Sequence, residues 1–260
     1  MIKAIFFDID GTLVSFKTHN VPESTIKAIR SAKEAGCLIF ISTGRPVQLI
    51  DNIRSIESLI DGYVTTNGAN CFSGDTVLVK RTIPVQDVEK MWDFSGKMGF
   101  SAMFIGKKNI YVANKDEKMS IIVGNLLNLP DMQDCDGPHE MSGDEIFQIS
   151  PVVNTRQEEE IMPFLPGCSS CRWSPVFMDV IPKGTDKAKG IEAVASHFGF
   201  GIEECMAFGD GGNDISMLKA VGAGIAMGNS AEDVKAAADY VTSSVDEDGI
   251  YNGLRHYGII

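Results

Sequence analysis

No stretch of the 260 residues approaches the run of about 20 apolar positions that crosses a bilayer. The N-terminus opens straight into a strand-like run and lacks the basic-then-apolar layout of a secretory leader, so a cytoplasmic protein with no membrane partner is expected. Positive charge is scarce: 23 Lys and Arg stand against 35 Asp and Glu, a net charge of −12. That balance argues against a nucleic-acid backbone as the main partner. It does not exclude a small anionic substrate, because a bound cation and a few basic side chains invert the field locally. The four histidines, His19, His139, His197 and His256, are scattered and have no metal-ligand spacing. Cys168-Ser-Ser-Cys171 has redox or zinc spacing, but no second ligand pair accompanies it, so free thiols at the start of a strand are expected. Repeats and low-complexity tracts are absent, and no long apolar seam suggests a partner subunit, so a monomer is expected.

What is present is alternation. An apolar fraction of 44% supports one large domain or two modest ones. Lys3 to Asp8, Cys37 to Ser42 and Asp61 to Thr66 read as buried strands, with a weaker one over Thr76 to Arg81. Between the first two, Pro22 and Gly36 bracket a helix whose Ile26, Ile29, Ala32 and Ala35 would share a face. Pro46 is placed to begin another helix. After residue 184 the pattern returns: helix 186–199, strand 204–208, a helix to about 221, strand 222–227, helix 230–238 and a last strand at Tyr240-Val241. Short strand–helix units imply an α/β fold with a doubly wound parallel sheet. Residues 83–183 differ. Helices near 85–98, 115–127 and 155–164 are interleaved with strands at 100–105, 109–113, 145–149, 170–173 and 176–181, an α+β insert with hinges at Pro84 and Pro182-Lys183-Gly184. The expected domains are a core of 1–82 and 184–260 and an inserted domain of 83–183.

Three strand ends carry unusual polar sequences: Asp8-Ile9-Asp10-Gly11-Thr12, Ser42-Thr43-Gly44-Arg45 and Gly209-Asp210-Gly211-Gly212-Asn213-Asp214. In an open parallel sheet all three would converge at the carboxyl edge, where ligands bind. Residues i and i+2 of a strand point the same way, so Asp8 and Asp10 can face one site, although a solvated pair in an Asx turn is the plain alternative. Asp8, Asp10 and Asp210 could offer oxygens to Mg²⁺. Thr43, with the amides of Gly44 and Arg45 entering a helix, would form an anion cradle. Asp214 could be no more than a helix-start charge.

These motifs, in this order, resemble the haloacid dehalogenase superfamily, and within it the Cof-type branch with a type IIB cap. The resemblance covers the whole chain and implies a Rossmann-like core with residues 83–183 as the cap. It implies a Mg²⁺-dependent phosphatase in which Asp8 attacks phosphorus and becomes an aspartyl-phosphate. Asp10 would protonate the leaving oxygen, then take a proton from water. Lys187 best matches the third-motif lysine, with Lys183 and Lys189 as competitors. Thr43, Gly44, Arg45, Lys187 and Asn213 would bind phosphate, Asp8, Asp10 and Asp210 the metal, and Asp214 would orient Lys187 or a metal-bound water. Asn67-Gly68 would line the cleft. The substrates implied are small phosphorylated metabolites, chiefly hexose phosphates. A hexose phosphomutase and a non-catalytic phosphosugar sensor are the competing functions. Substrate choice is expected from the insert, where Glu140, Asp144, Arg172, Asp179 and Lys107-Lys108 are candidates whose plainer reading is a solvated surface.

Overall fold

The computed structural model describes residues 1–121, 124, 134–172 and 174–260. The chain forms two units, Met1–Lys80 with Asp186–Ile260, and Arg81–Thr185. In chain order the first unit begins with β1 (Ala4–Phe7), α1 (Glu23–Glu34), β2 (Leu38–Ser42), β3 (Gly62–Thr65), β4 (Asn70–Ser73) and β5 (Thr76–Lys80). The second contributes α2 (Val85–Met98), β6 (Ala102–Gly106), β7 (Ile110–Ala113), α3 (Glu117–Ile121), β8 (Ile146–Pro151), α4 (Thr155–Ile161), β9 (Cys168–Cys171) and β10 (Asp179–Pro182). The chain then returns with α5 (Lys187–Phe198), β11 (Cys205–Gly209), α6 (Ile215–Ala220), β12 (Ala223–Ala226), α7 (Glu232–Lys235), β13 (Tyr240–Val241) and α8 (Gly249–His256).

The first unit is the doubly wound α/β sheet, in the order β13-β12-β11-β1-β2-β3-β4-β5. Strands β13 to β3 pair in parallel, while β4 and β5 add an antiparallel edge. Strand order reverses at β1, between β11 and β2. The polar tails of the central strands β11, β1 and β2 are therefore neighbours. Period-2 alternation divides the core. Ile5 and Phe7 pack with Ile39, Ile41, Phe208 and the α1 and α8 side, whereas Ala4 and Phe6 pack with Phe40, Ala207 and the α5 and α6 side. Phe6 stacks on Phe40 and Phe7 on Phe208, with ring centroids 4.8 and 5.2 Å apart.

Helix α1 starts after Pro22 with Glu23 in its first turn and stops before Gly36, whose φ of +93° is the left-handed region. Its buried stripe is Thr25, Ala28, Ile29 and Ala32, one residue round from the expected face. Ala35 lies outside the stripe because it is the C-cap. Strand β4 and helix α8 were not anticipated. Nor does Pro46 start an α-helix: it is extended, and a 3-10 turn, Val47–Leu49, follows.

The second unit holds a five-stranded antiparallel sheet, β7-β6-β8-β10-β9, around its own apolar cluster of Phe104, Ile149, Met178 and Val180 with Val88 and Met91 of α2. This is the α+β insert. Of the helix expected over 115–127, the part from residue 122 falls almost wholly outside the described residues, as does Trp173 of the strand expected over 170–173. Asp179, read as surface, is buried and accepts the Ser150 hydroxyl at 2.7 Å. Burial pushes the Cys168 thiol up to about 12, which leaves an inert thiol at the start of β9. No described helix is long and apolar enough to cross a membrane.

Candidate active site

Asp8 continues the parity of Ala4 and Phe6, the face covered by α5 and α6. Helix α5 begins there because Asp186 caps it, its carboxylate accepting the Lys189 amide at 2.9 Å. Lys187 is thereby the first helical residue, and its ammonium is fully buried. It donates to Asp8 Oδ1 at 2.7 Å and to Asp214 Oδ1 at 2.5 Å. Lys183 and Lys189 are exposed.

Asp214 also organises its own loop. Its Oδ2 accepts the amides of Asp210 and Gly211, each at 2.9 Å, which bends the glycine-rich turn and orients Asp210. Asp210 Oδ1 in turn accepts the Thr12 hydroxyl at 2.8 Å. A Cβ on Gly11 would stand 2.2 Å from Asp210 Oδ2, and Gly11 has φ +85°, so this position needs glycine for space and for conformation.

Asp8, Asp210 and Asp214 each offer an oxygen, all within 4.8 Å of one another. One ammonium balances three acids. Burial raises the Asp8 carboxyl to about 7, against the attraction of Lys187 and helped by Asp214 and Asp10. Burial also raises Asp210 well above the usual carboxylate range, reinforced by Asp8 and Asp214. Lys187 is raised as well, which keeps it charged: burial opposes that charge, but Asp214 and Asp8 outweigh it. Concentrated hard oxygens with surplus negative charge fit a divalent cation such as Mg²⁺. Asp8 and Asp210 are the donors best suited to it, since Asp214 is engaged by Lys187 and two amides.

The Asp10 carboxylate is not in this cluster. Arg45 holds it at two points, Nε to Oδ2 at 2.6 Å and Nη2 to Oδ1 at 2.7 Å. The side chain of Asp10 is therefore not placed as a third metal carboxylate. Nor do the residues after Thr43 form the expected helix-terminus cradle. The Arg45 amide donates to Thr43 Oγ1 at 3.0 Å, and no α-helix follows.

Gly44 does adjoin Asn213. A Cβ on Gly44 would lie 3.2 Å from the Asn67 amide and 3.4 Å from that of Asn213. Asn213 Nδ2 donates to Asn67 Oδ1 at 3.1 Å. Thr66, Asn67 and Gly68 have consecutive φ values of 48°, 52° and 88°. Two non-glycine residues in that region are strained, a condition met where a site over-determines its backbone.

Asn229 was missed. It follows β12, and its Nδ2 donates to the Gly11 carbonyl at 2.9 Å while its Oδ1 accepts the Val245 amide at 3.0 Å. It braces the turn that carries Asp10. Gly228-Asn229-Ser230 is a fourth polar strand end beside β11, which is the signal that would have found it.

Known proteins resemble this chain along nearly its whole length. The family profile described as haloacid dehalogenase-like hydrolase matches residues 5–254. The putative phosphatase YkrA of Bacillus subtilis is 32% identical over 261 residues, covering 99% of this chain and 98% of its own. The solved structure of the subclass IIB sugar phosphatase BT4131 is 47% identical, with a TM-score of 0.94 over 99% of this chain and 100% of that one. A second structure, from work on a conserved trigonal-bipyramidal intermediate in a phosphoryl-transfer superfamily, is 46% identical with a TM-score of 0.96 over 100% of both chains.

Proposed function

The chain belongs to the haloacid dehalogenase-like hydrolase family, a phosphoric monoester hydrolase by its likeness to phosphatases along its full length, and from that premise we propose that it hydrolyses sugar phosphates through an aspartyl-phosphate on Asp8. The observation that carries the reading is the placement of Lys187 between Asp8 and Asp214, at the edge where β11, β1 and β2 end together. The substrate class comes from BT4131, a sugar phosphatase at 47% identity.

The reaction has two halves. An Asp8 oxygen attacks phosphorus, the bond from phosphorus to the leaving oxygen breaks, and a proton from Asp10 goes to that oxygen. Water then attacks the phosphoenzyme, its proton passes to Asp10, and the bond between phosphorus and Asp8 breaks to release phosphate. Lys187 keeps a positive charge beside Asp8, which lowers the repulsion between a carboxylate and a phosphate dianion. Asp214 holds Lys187 and the loop around Asp210. Thr43, Gly44 and Asn213 line the phosphate side, with Asn67 fixing the Asn213 amide. Mg²⁺, which Asp8 and Asp210 would hold, would supply charge neutralisation and Lewis acidity at the phosphate oxygens.

The test is phosphate release from a panel of sugar phosphates, nucleotides and other monoesters, with Mg²⁺ and then with chelator, using Asp8→Asn as the blank. Mg²⁺-dependent release that the blank lacks is the expected result. No release, with isomerisation of glucose or mannose phosphates, would establish a mutase instead. Phosphosugar binding without turnover of either kind would make the chain a sensor.

A further inference from the structure

Arg45 entered the sequence reading as a phosphate ligand, yet its guanidinium lies on Asp10. Both N–H···O bonds are short, at 2.6 and 2.7 Å, and they run in parallel to the two oxygens of one carboxylate. This fork geometry fixes a carboxylate in plane and rotation, which a single contact cannot do. The guanidinium is itself anchored. Its Nη1 donates to the Leu49 carbonyl at 2.9 Å, and the side chain is buried. The backbone of Asp10 is fixed as well, because the amides of Leu13 and Val14 donate to the Ile9 carbonyl at 3.0 and 2.8 Å and the Gly11 amide to the Val14 carbonyl at 2.8 Å. Asp10 is thus held at both ends: the turn sets its Cα and Arg45 sets its oxygens. The carboxylate keeps partial exposure, so it can still meet a substrate oxygen.

We infer that Arg45 is the positioning residue for the proton-transfer group Asp10, rather than a ligand of the phosphate. The assignment rests on the phosphatase reading above, in which Asp10 gives a proton to the leaving oxygen. A proton donor must stand within hydrogen-bond reach of the atom that departs, and a displacement of about 1 Å is worth a large factor in rate. Removal of Arg45 leaves Asp10 chemically intact but free to rotate.

The distinguishing measurement is leaving-group dependence. Proton donation matters for a poor alkoxide leaving group and little for nitrophenolate. Rapid-quench single turnovers of glucose 6-phosphate and p-nitrophenyl phosphate, with Mg²⁺, isolate the first phosphoryl transfer. With Arg45→Ala, transfer from glucose 6-phosphate should slow by about 10²-fold, the usual span of general acid catalysis. The nitrophenolate burst should slow by less than about 5-fold, since that step needs no acid. KM for both esters should move little. Arg45→Lys should recover only a small part, because an ammonium lacks the fork. In an Asp10→Asn background Arg45→Ala should add nothing, as expected when one residue acts through the other. That background and Arg45→Lys keep the test decisive even if Arg45→Ala alone folds poorly. Equal losses on both esters with a raised KM would make Arg45 a phosphate ligand, and no change on either would make the pair merely structural; each overturns the inference. A wild-type protein that releases phosphate from no ester of the panel described above would instead overturn the function on which it rests.

Discussion

Asp144 in the Arg81–Thr185 unit accepts the amides of Lys108, Asn109 and Glu145 and the hydroxyl of Tyr111. Arg172 there is ringed by Glu158 and by the carbonyls of Val153, Ser174 and Phe177. The other unit does the reverse with Asp8, Asp210 and Asp214, which crowd one another around a single lysine. Burial opposes the ionisation of Asp144, but its amide donors outweigh that and lower its carboxyl below the usual range; Asp8 and Asp210 are driven upward. Charge matched by hydrogen bonds stabilises a fold. Charge left in surplus in a buried place requires something else, a proton or a cation, and that is where chemistry is found.

The comparison breaks most sharply at Asp8. Asp8→Asn should reduce phosphate release by on the order of 10⁴-fold or more while preserving the circular dichroism spectrum, because it removes the nucleophile and almost no volume. Measurable turnover near the wild-type rate would end the covalent mechanism. Lys187→Ala comes next. It should cost about 10³-fold in kcat/KM, the scale of losing one preorganised charge-stabilising group. It should also lower stability by about 3–5 kcal/mol in a denaturant melt, since Asp8 and Asp214 lose their buried partner. Lys183→Ala and Lys189→Ala, at exposed positions, should stay within a few-fold of wild type. If Lys189→Ala were the worst of the three, the assignment of the lysine would be wrong.

A third prediction concerns pH. The Asp8 carboxyl is raised in the folded state from its ordinary value of 3.8 to about 7, so the folded protein holds a proton that the unfolded chain has released. The resulting stability is fully present below about pH 4 and is lost as pH rises through about 7. In chelator, the melting temperature of the wild type relative to Asp8→Asn should therefore fall between pH 4 and pH 8. Mg²⁺ should reverse most of that fall, with its largest thermal shift at the high-pH end, because it replaces the proton. A flat difference across this range would mean that the surplus charge is relieved some other way.

The smallest effect on activity belongs to the insert. Asp144→Ala should destabilise by about 1–3 kcal/mol, because three amides and a hydroxyl lose their acceptor. It should leave kcat for p-nitrophenyl phosphate within about two-fold, because the hydrogen bonds it accepts all come from its own unit. A large loss of kcat there would erase the distinction between the two units.

The α/β architecture was legible in the chain because both of its signals are local. Apolar runs of four or five residues ending in Asp, Thr or Gly mark buried parallel strands, and proline and glycine punctuate the helices between them. The strand ends at Asp8, Thr43 and Asp210 could be foreseen as neighbours, since sheet topology alone brings the carboxyl edges together. The antiparallel edge formed by β4 was not legible: Asn70–Ser73 is short and polar, and it becomes a strand only by pairing with β3 and β5. The solvated-surface reading of Asp179 failed for a related reason, since its hydrogen bond comes from Ser150, a residue 29 positions away.

What the sequence determined by itself was the set of groups available for chemistry, the strands that would carry them and the edge at which they would meet. Tertiary structure alone decided which group touches which. Arg45 could reach a phosphate or Asp10, and its position 35 residues from Asp10 says nothing about which. Lys183, Lys187 and Lys189 share one short segment, but the cap at Asp186 sets the helical phase that buries Lys187 between two carboxylates. Helical and strand periodicity are encoded within a few residues. The partner of a charge is set by the packing of elements far apart in the chain, and that is fixed only when the sheet closes around them.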